Sequence, residues 1–176
     1  VVIADDQELV RSGFRLILSS YENIKIVGEA GTGMEAVTLV RELHPQVILM
    51  DIRMPVMNGI EATEALRADP RLAETQVLIL TTFDIDEYVY DALQAGASGF
   101  MLKDSEPDDI ASAIKVVAEG DALIQPSITR RLVEAFVGSR SRKARSKESL
   151  DALTDREREI LTFVAKGLSN EEIAEE

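Results

Sequence analysis

Five short apolar runs, alternating with stretches of helical periodicity, constrain this chain more than any other feature. The runs are Val1 to Ala4, Ile24 to Glu29, Gln46 to Met50, Gln76 to Leu80 and Ser98 to Leu102. Most are too uniformly apolar to be half-exposed, which is the pattern of parallel strands covered on both faces. Between them, Leu9, Phe14, Ile17 and Leu18 place an apolar stripe on one helix, and Ala36, Val37, Leu39, Val40 and Leu43 place one on another. Further helical patterns cover Gly59 to Ala68, Asp86 to Gln94 and Pro107 to Glu119. Five βα repeats predict an α/β fold with a doubly wound, five-stranded parallel sheet. Ligands of such sheets bind outside the carboxyl ends of the strands.

The polar residues gather at those ends. The first run stops at Asp5 and Asp6, the third at Asp51, the fourth at Thr81 and Thr82, and the fifth at Lys103. Asp51 follows four apolar residues in the stretch QVILMDIRMPVMNG. A carboxylate there is costly unless it is paired, hydrogen-bonded or bound to a metal. Three carboxylates brought together raise one another's pKa unless a cation sits among them. A hard divalent ion with oxygen ligands meets that need, and Mg²⁺, which takes few carboxylates and keeps waters, fits better than a calcium cage. Lys103 adds a mobile point charge suited to phosphate, and a threonine hydroxyl can donate to a phosphoryl oxygen. The set reads as a phosphoryl-transfer site with an aspartate nucleophile.

Composition narrows the classes. The 176 residues are 45% hydrophobic, enough for one core and a second small domain. With no cysteine, disulfides, thiol catalysis and cysteine-bound zinc are excluded. No run approaches a membrane span and no signal-like segment opens the chain, so the expected location is cytoplasmic, with no membrane partner. The formal net charge of −13 repels nucleic acid over most of the surface. Any DNA contact must be local. The chain starts inside an apolar run and stops inside a helical pattern, as a fragment of something longer would.

The set ADD, LMDIRMPVMNG, LTTFD and GASGFMLKD, in this order and spacing, closely resembles the receiver domain of bacterial two-component response regulators. The resemblance covers Val1 to about Gly120. It implies that Asp51 is the phosphoacceptor for a sensor histidine kinase and that Asp6, Asp51 and the backbone carbonyl of Arg53 hold Mg²⁺, with Asp5 assisting. It further implies that Thr81 is the switch hydroxyl, Lys103 its ion-pair partner, and Phe100 the aromatic whose rotamer follows Thr81. Such a protein is a phosphoacceptor and no enzyme beyond Mg²⁺-dependent self-phosphorylation and self-dephosphorylation.

Two features depart from the family pattern. Many receivers follow the lysine with a cis-proline, but Asp104 stands here, where a cis peptide is costly. Thr82 is larger than the small residue often found after the switch threonine, and Arg53 and Phe83 could cover the phosphoryl group. A long-lived phosphoaspartate is the expectation.

Other readings compete. GTGMEA, Gly31 to Ala36, matches the dinucleotide fingerprint GxGxxA, with Asp51 twenty residues past the first glycine. That reading leaves Asp5, Asp6, Thr81 and Lys103 without a role, and the plainer one is that the glycines shape a βα turn. A small-molecule phosphotransferase would need a second acid or base near Asp51, where the chain offers Arg53. His44, the sole histidine, precedes Pro45 and reads as a helix C-cap. Tyr88, Val89, Ala92, Leu93 and Ala95 have the spacing of core packing. The resemblance adds that the exposed face of their helix, with the fifth strand, forms a homodimer surface on phosphorylation.

Past the receiver the texture changes. A short helix starting at Pro126 and Ser127 carries an apolar stripe of Ile128, Leu132, Val133, Phe136 and Val137. Gly138 to Ser149, GSRSRKARSKES, reads as a flexible basic linker. Then Thr154 with Glu157 and Ser169 with Glu172 form two capping-box signatures around Gly167. The string LTDREREILTFVAKGLSNEEIAEE resembles the opening of the LuxR-type helix-turn-helix domain that follows receivers of the NarL/FixJ type. Its recognition helix, which enters the major groove, would come next and is not in the chain. The expected organisation is receiver 1–122, linker 123–150 and partial DNA-binding domain 151–176. This chain should bind DNA weakly even where the intact protein binds well.

Overall fold

The structure is a computed structural model, and it describes residues 1–82, 86–126, 128–130 and 133, with the side chains of 86 and 87 left aside. The chain divides into two units after Leu132. The helix-turn-helix segment and Phe83 lie outside the described residues.

The first unit is a parallel sheet wrapped by helices. Its strands are β1 (Val2–Ala4), β2 (Gly28–Ala30), β3 (Val47–Met50), β4 (Gln76–Thr81), β5 (Gly99–Leu102) and β6 (Leu123–Ile124), in the order β2-β1-β3-β4-β5-β6. The helices are α1 (Glu8–Leu18), α2 (Gly33–Leu43), α3 (Gly59–Arg67), α4 (Asp86–Gln94) and α5 (Pro107–Ala118). Alternate strand residues feed two cores. Val2, Ile48, Met50, Ile79 and Phe100 pack with Val40, Leu66 and Ala92 of α2, α3 and α4. Ile3, Leu49, Leu78 and Met101 pack with Leu18 of α1 and Ile110, Ile114 and Val117 of α5. Burial on both faces is the physical reason for the uniformly apolar runs.

Several expectations need correction. The sheet has six strands rather than five, because residues just past α5 return to pair with β5. The second strand covers only Gly28–Ala30, since Ile24 is buried as a core residue of the preceding loop. Leu9, Ile17 and Leu43 face solvent; Leu18 is the buried residue of α1, and Ala36, Val37 and Val40 those of α2 besides Gly33. Val133 is also exposed, whereas Ile128 is fully buried. β5 lies between β4 and β6 in the sheet.

Helix signals agree better. His44 ends α2 in the left-handed region at φ 45°, its amide bonded to the Val40 carbonyl. Val89, Ala92 and Ala95 are buried, with Tyr88 and Leu93 packed against the core. No cis peptide occurs among the described residues. No helix among them is long and apolar enough to cross a membrane.

Candidate functional site

The loops at the carboxyl ends of β1, β3, β4 and β5 bring the sequence candidates together. The sheet's own hydrogen bonds set their height: the Asp5 amide donates to Ala30 O (3.0 Å), the Asp51 amide to Ala4 O (2.8 Å), and the Lys103 amide to Thr81 O (2.8 Å). β1, β3 and β5 therefore each deliver a polar residue one step past the strand's last residue, Thr81 is itself the last residue of β4, and the parallel register aligns these ends.

Lys103 is the hub. Its Nζ lies 2.5 Å from Asp5 Oδ2 and 3.0 Å from Asp51 Oδ2, and all three side chains are less than a tenth exposed. Asp5 Oδ1 accepts from the Gln7 amide (3.0 Å), and Asp51 Oδ1 accepts from the Ile52 amide (2.9 Å). Both buried carboxylates are thus hydrogen-bonded at each oxygen. Asp6 is exposed, yet carboxylate oxygens of Asp5, Asp6 and Asp51 lie within 4.8 Å of one another. Burial pushes the Asp51 carboxyl above the usual carboxylate range; Lys103 opposes that shift and the Asp5 charge adds to it. Three carboxylates against one ammonium leave the cluster with excess negative charge. Hard oxygen donors at this spacing fit a small divalent cation such as Mg²⁺.

Thr81 is buried at the end of β4, and Phe100 is fully buried on β5 opposite Ile79. Phe100 lies on the α2–α4 side of the sheet, in the core that holds Val89, Ala92 and Ile128. Arg53 and Thr82 are exposed beside the site.

Three contributors were not assigned from sequence. Gly59 packs under the loop that follows Asp51: its amide donates to Ile52 O at 2.9 Å, and a β carbon there would stand 2.0 Å from Asp51 O. Asn58 and Glu61 form a capping box that starts α3 directly after the loop. The signature N-x-x-E was readable; the close approach of Gly59 was not. Arg11 donates to the main-chain oxygen of Asp5 at 2.6 Å while facing Glu29 at 3.6 Å, and this cross-element contact has no sequence signal.

The glycine motif is occupied by the protein itself. The Gly31 amide donates to Glu35 Oε2 (2.8 Å), the Gly33 amide donates to Met57 O (3.0 Å), and a β carbon at Gly33 would stand 2.5 Å from that same oxygen. Amides spent on the protein are not offered to a pyrophosphate, so the glycines serve a tight βα turn and loop packing.

Comparison with known proteins agrees with this geometry. The family described as response regulator receiver domain matches residues 1–115, and bacterial regulatory proteins of the luxR family match residues 151–176. The chain is 41% identical over 174 residues to the response regulator protein VraR of Staphylococcus epidermidis, covering 99% of this chain and 79% of VraR. It is 38% identical over 175 residues to the transcriptional regulatory protein YxjL of Bacillus subtilis, with coverage of 99% and 79%. The crystal structure of a LuxR-family two-component response regulator from Aurantimonas sp. SI85-9A1 superposes with a TM-score of 0.72 at 32% identity, covering 77% of this chain and 96% of that one.

Proposed function

The chain belongs to the LuxR-family response regulators of two-component transcription control, a receiver domain followed by a LuxR-type DNA-binding domain, and from this premise we propose that Asp51 is its phosphoacceptor. A carboxylate oxygen of Asp51 attacks the phosphorus of a phosphohistidine on a sensor kinase. A P–O bond forms as the P–N bond breaks, and the electron pair leaves on the imidazole nitrogen. The observation that carries this reading is the buried Lys103 ammonium bridging Asp5 and Asp51.

Asp5, Asp6, Asp51 and the backbone carbonyl of Arg53 would hold Mg²⁺, which when bound offsets charge on the phosphoryl oxygens. Lys103 then has a new anionic partner in the phosphoryl group, and Thr81 a new acceptor for its hydroxyl. Phe100, on the strand that also leads to Lys103, follows Thr81. The phosphoryl group thereby biases a two-state receiver, which favours a homodimer and frees the output domain for DNA. The family is no classical enzyme family; self-phosphorylation and self-dephosphorylation are the chemistry expected of the chain. A cytoplasmic location, beside the kinase's catalytic domain, fits this role.

The test is intact mass after incubation with Mg²⁺ and a small-molecule phosphodonor, for wild type and Asp51→Asn. One added phosphoryl group, lost in the variant and on Mg²⁺ removal, is the expected result. Transfer that survives D51N would place the nucleophile elsewhere.

A further inference from the structure

We propose that residues 123–126 with Ile128, which follow the receiver's last helix in the chain, form a strap that reads the phosphorylation state from β5 and loosens when Asp51 is phosphorylated. The proposal rests on Asp51 being the phosphoacceptor and names the contact through which that site acts.

The strap is docked by four kinds of contact. β6 pairs in parallel with β5, Gly99 opposite Leu123 and Phe100 opposite Ile124. The Leu123 amide donates to Ser98 O (3.2 Å) and the Gln125 amide to Phe100 O (3.1 Å). The Gln125 side-chain oxygen accepts from the Leu102 amide (3.1 Å) and from Ser105 Oγ (3.3 Å). Ile128, 2% exposed, closes the core cluster that includes Phe100, Val89 and Ala92. Glycine at position 99 is part of the fit, because a β carbon there would stand 2.8 Å from Leu123 O.

These contacts flank the phosphoryl site. The Leu102 amide, held by Gln125, is one residue from Lys103, whose amide is held by Thr81 and whose ammonium bridges Asp5 and Asp51. A phosphoryl group on Asp51 gives Lys103 and Thr81 new bonding partners, so the end of β5 must adjust. The strap's bonds fit β5 as it stands with Lys103 paired to Asp5 and Asp51. A shift at Leu102 or a turn of Phe100 therefore costs bonds to Gln125 and packing to Ile128. Coupling of this kind is reciprocal: what phosphorylation does to the strap, release of the strap does to phosphoryl binding. The outer edge of β5 is covered by this chain's own segment.

The experiment uses the 176-residue chain, beryllofluoride with Mg²⁺ as the phosphoryl mimic, and wild type, Gln125→Ala and Ile128→Ala. Beryllofluoride should speed hydrogen exchange at the Leu123 and Gln125 amides of wild type by about tenfold, and both variants should bind it roughly fivefold more tightly. Unchanged or slower exchange, or variants that bind within twofold of wild type or more weakly, would overturn the strap. Variants that lose stability without a change in affinity reduce these residues to a structural role. Failure of wild type to bind beryllofluoride at all would instead remove the Asp51 reading on which the strap rests.

Discussion

A β carbon on Gly59 would stand 2.0 Å from the main-chain oxygen of Asp51, so the helix that follows the Asp51 loop is packed onto that residue's own peptide. Gly59 has no positive φ among the backbone exceptions, and the demand is for space alone. Gly59→Ala should cost about 3 kcal/mol and cut phosphoryl uptake, because neither backbone can yield without moving Asp51. Gly13, within α1, has nothing within 4 Å of its β position. The same substitution there should stabilise by roughly 0.5–1 kcal/mol, the ordinary helix preference for alanine. Denaturant midpoints of the two variants, moving in opposite directions, are the check.

Lys103 is the sole side-chain cation found on the two buried carboxylates among the described residues. Lys103→Met leaves Asp5 and Asp51 facing one another, and breaking a buried pair of this kind costs about 3 kcal/mol. Without the ammonium, the three carboxylates of Asp5, Asp6 and Asp51 stand together with no Lys103 charge to offset them. The variant should therefore gain more stability from added Mg²⁺ than wild type does, read as a larger rise in melting temperature over a Mg²⁺ titration.

Burial raises the Asp51 pKa in the folded protein. The folded value lies above the unfolded one, so the ionised group subtracts stability: the penalty is absent below the unfolded pKa of about 3.9 and complete once the pH passes the folded value. Asp51→Asn removes the penalty. Its melting temperature should exceed that of wild type at neutral pH, with the gap closing on acidification. Melting curves of both proteins in Mg²⁺-free buffer across the acid range test the sign.

Val56, in the loop between Asp51 and α3, sits at φ 70° and is 81% exposed. A β-branched residue in the left-handed region is strained, and burial returns nothing here. Val56→Gly should stabilise the receiver by about 1 kcal/mol; Val56→Ala keeps a β carbon and should recover much less. Urea denaturation separates the two.

The order of elements and the gathering of the candidate residues at one end of the sheet were legible in the sequence because both rest on local chemistry. A strand buried on two faces must be apolar throughout, so Val47 to Met50 announced itself and made Asp51 conspicuous. Parallel strands end on one side, so Asp5, Asp6, Thr81 and Lys103 could be gathered there before any distance was known. Tertiary structure alone decided the rest. Leu9, Ile17 and Leu43 have the right period for a core stripe, but their positions face solvent, since periodicity fixes a face and not its cover. Leu123 and Ile124 are too short a run to read as a strand, and they become one because they pair with the side of β5 not taken by β4, where Gly99 leaves room for their backbone. Likewise the contacts of Gly59 with Asp51, Arg11 with Asp5 and Gln125 with Leu102 join segments whose meeting depends on how the whole sheet is wound, which no local pattern encodes.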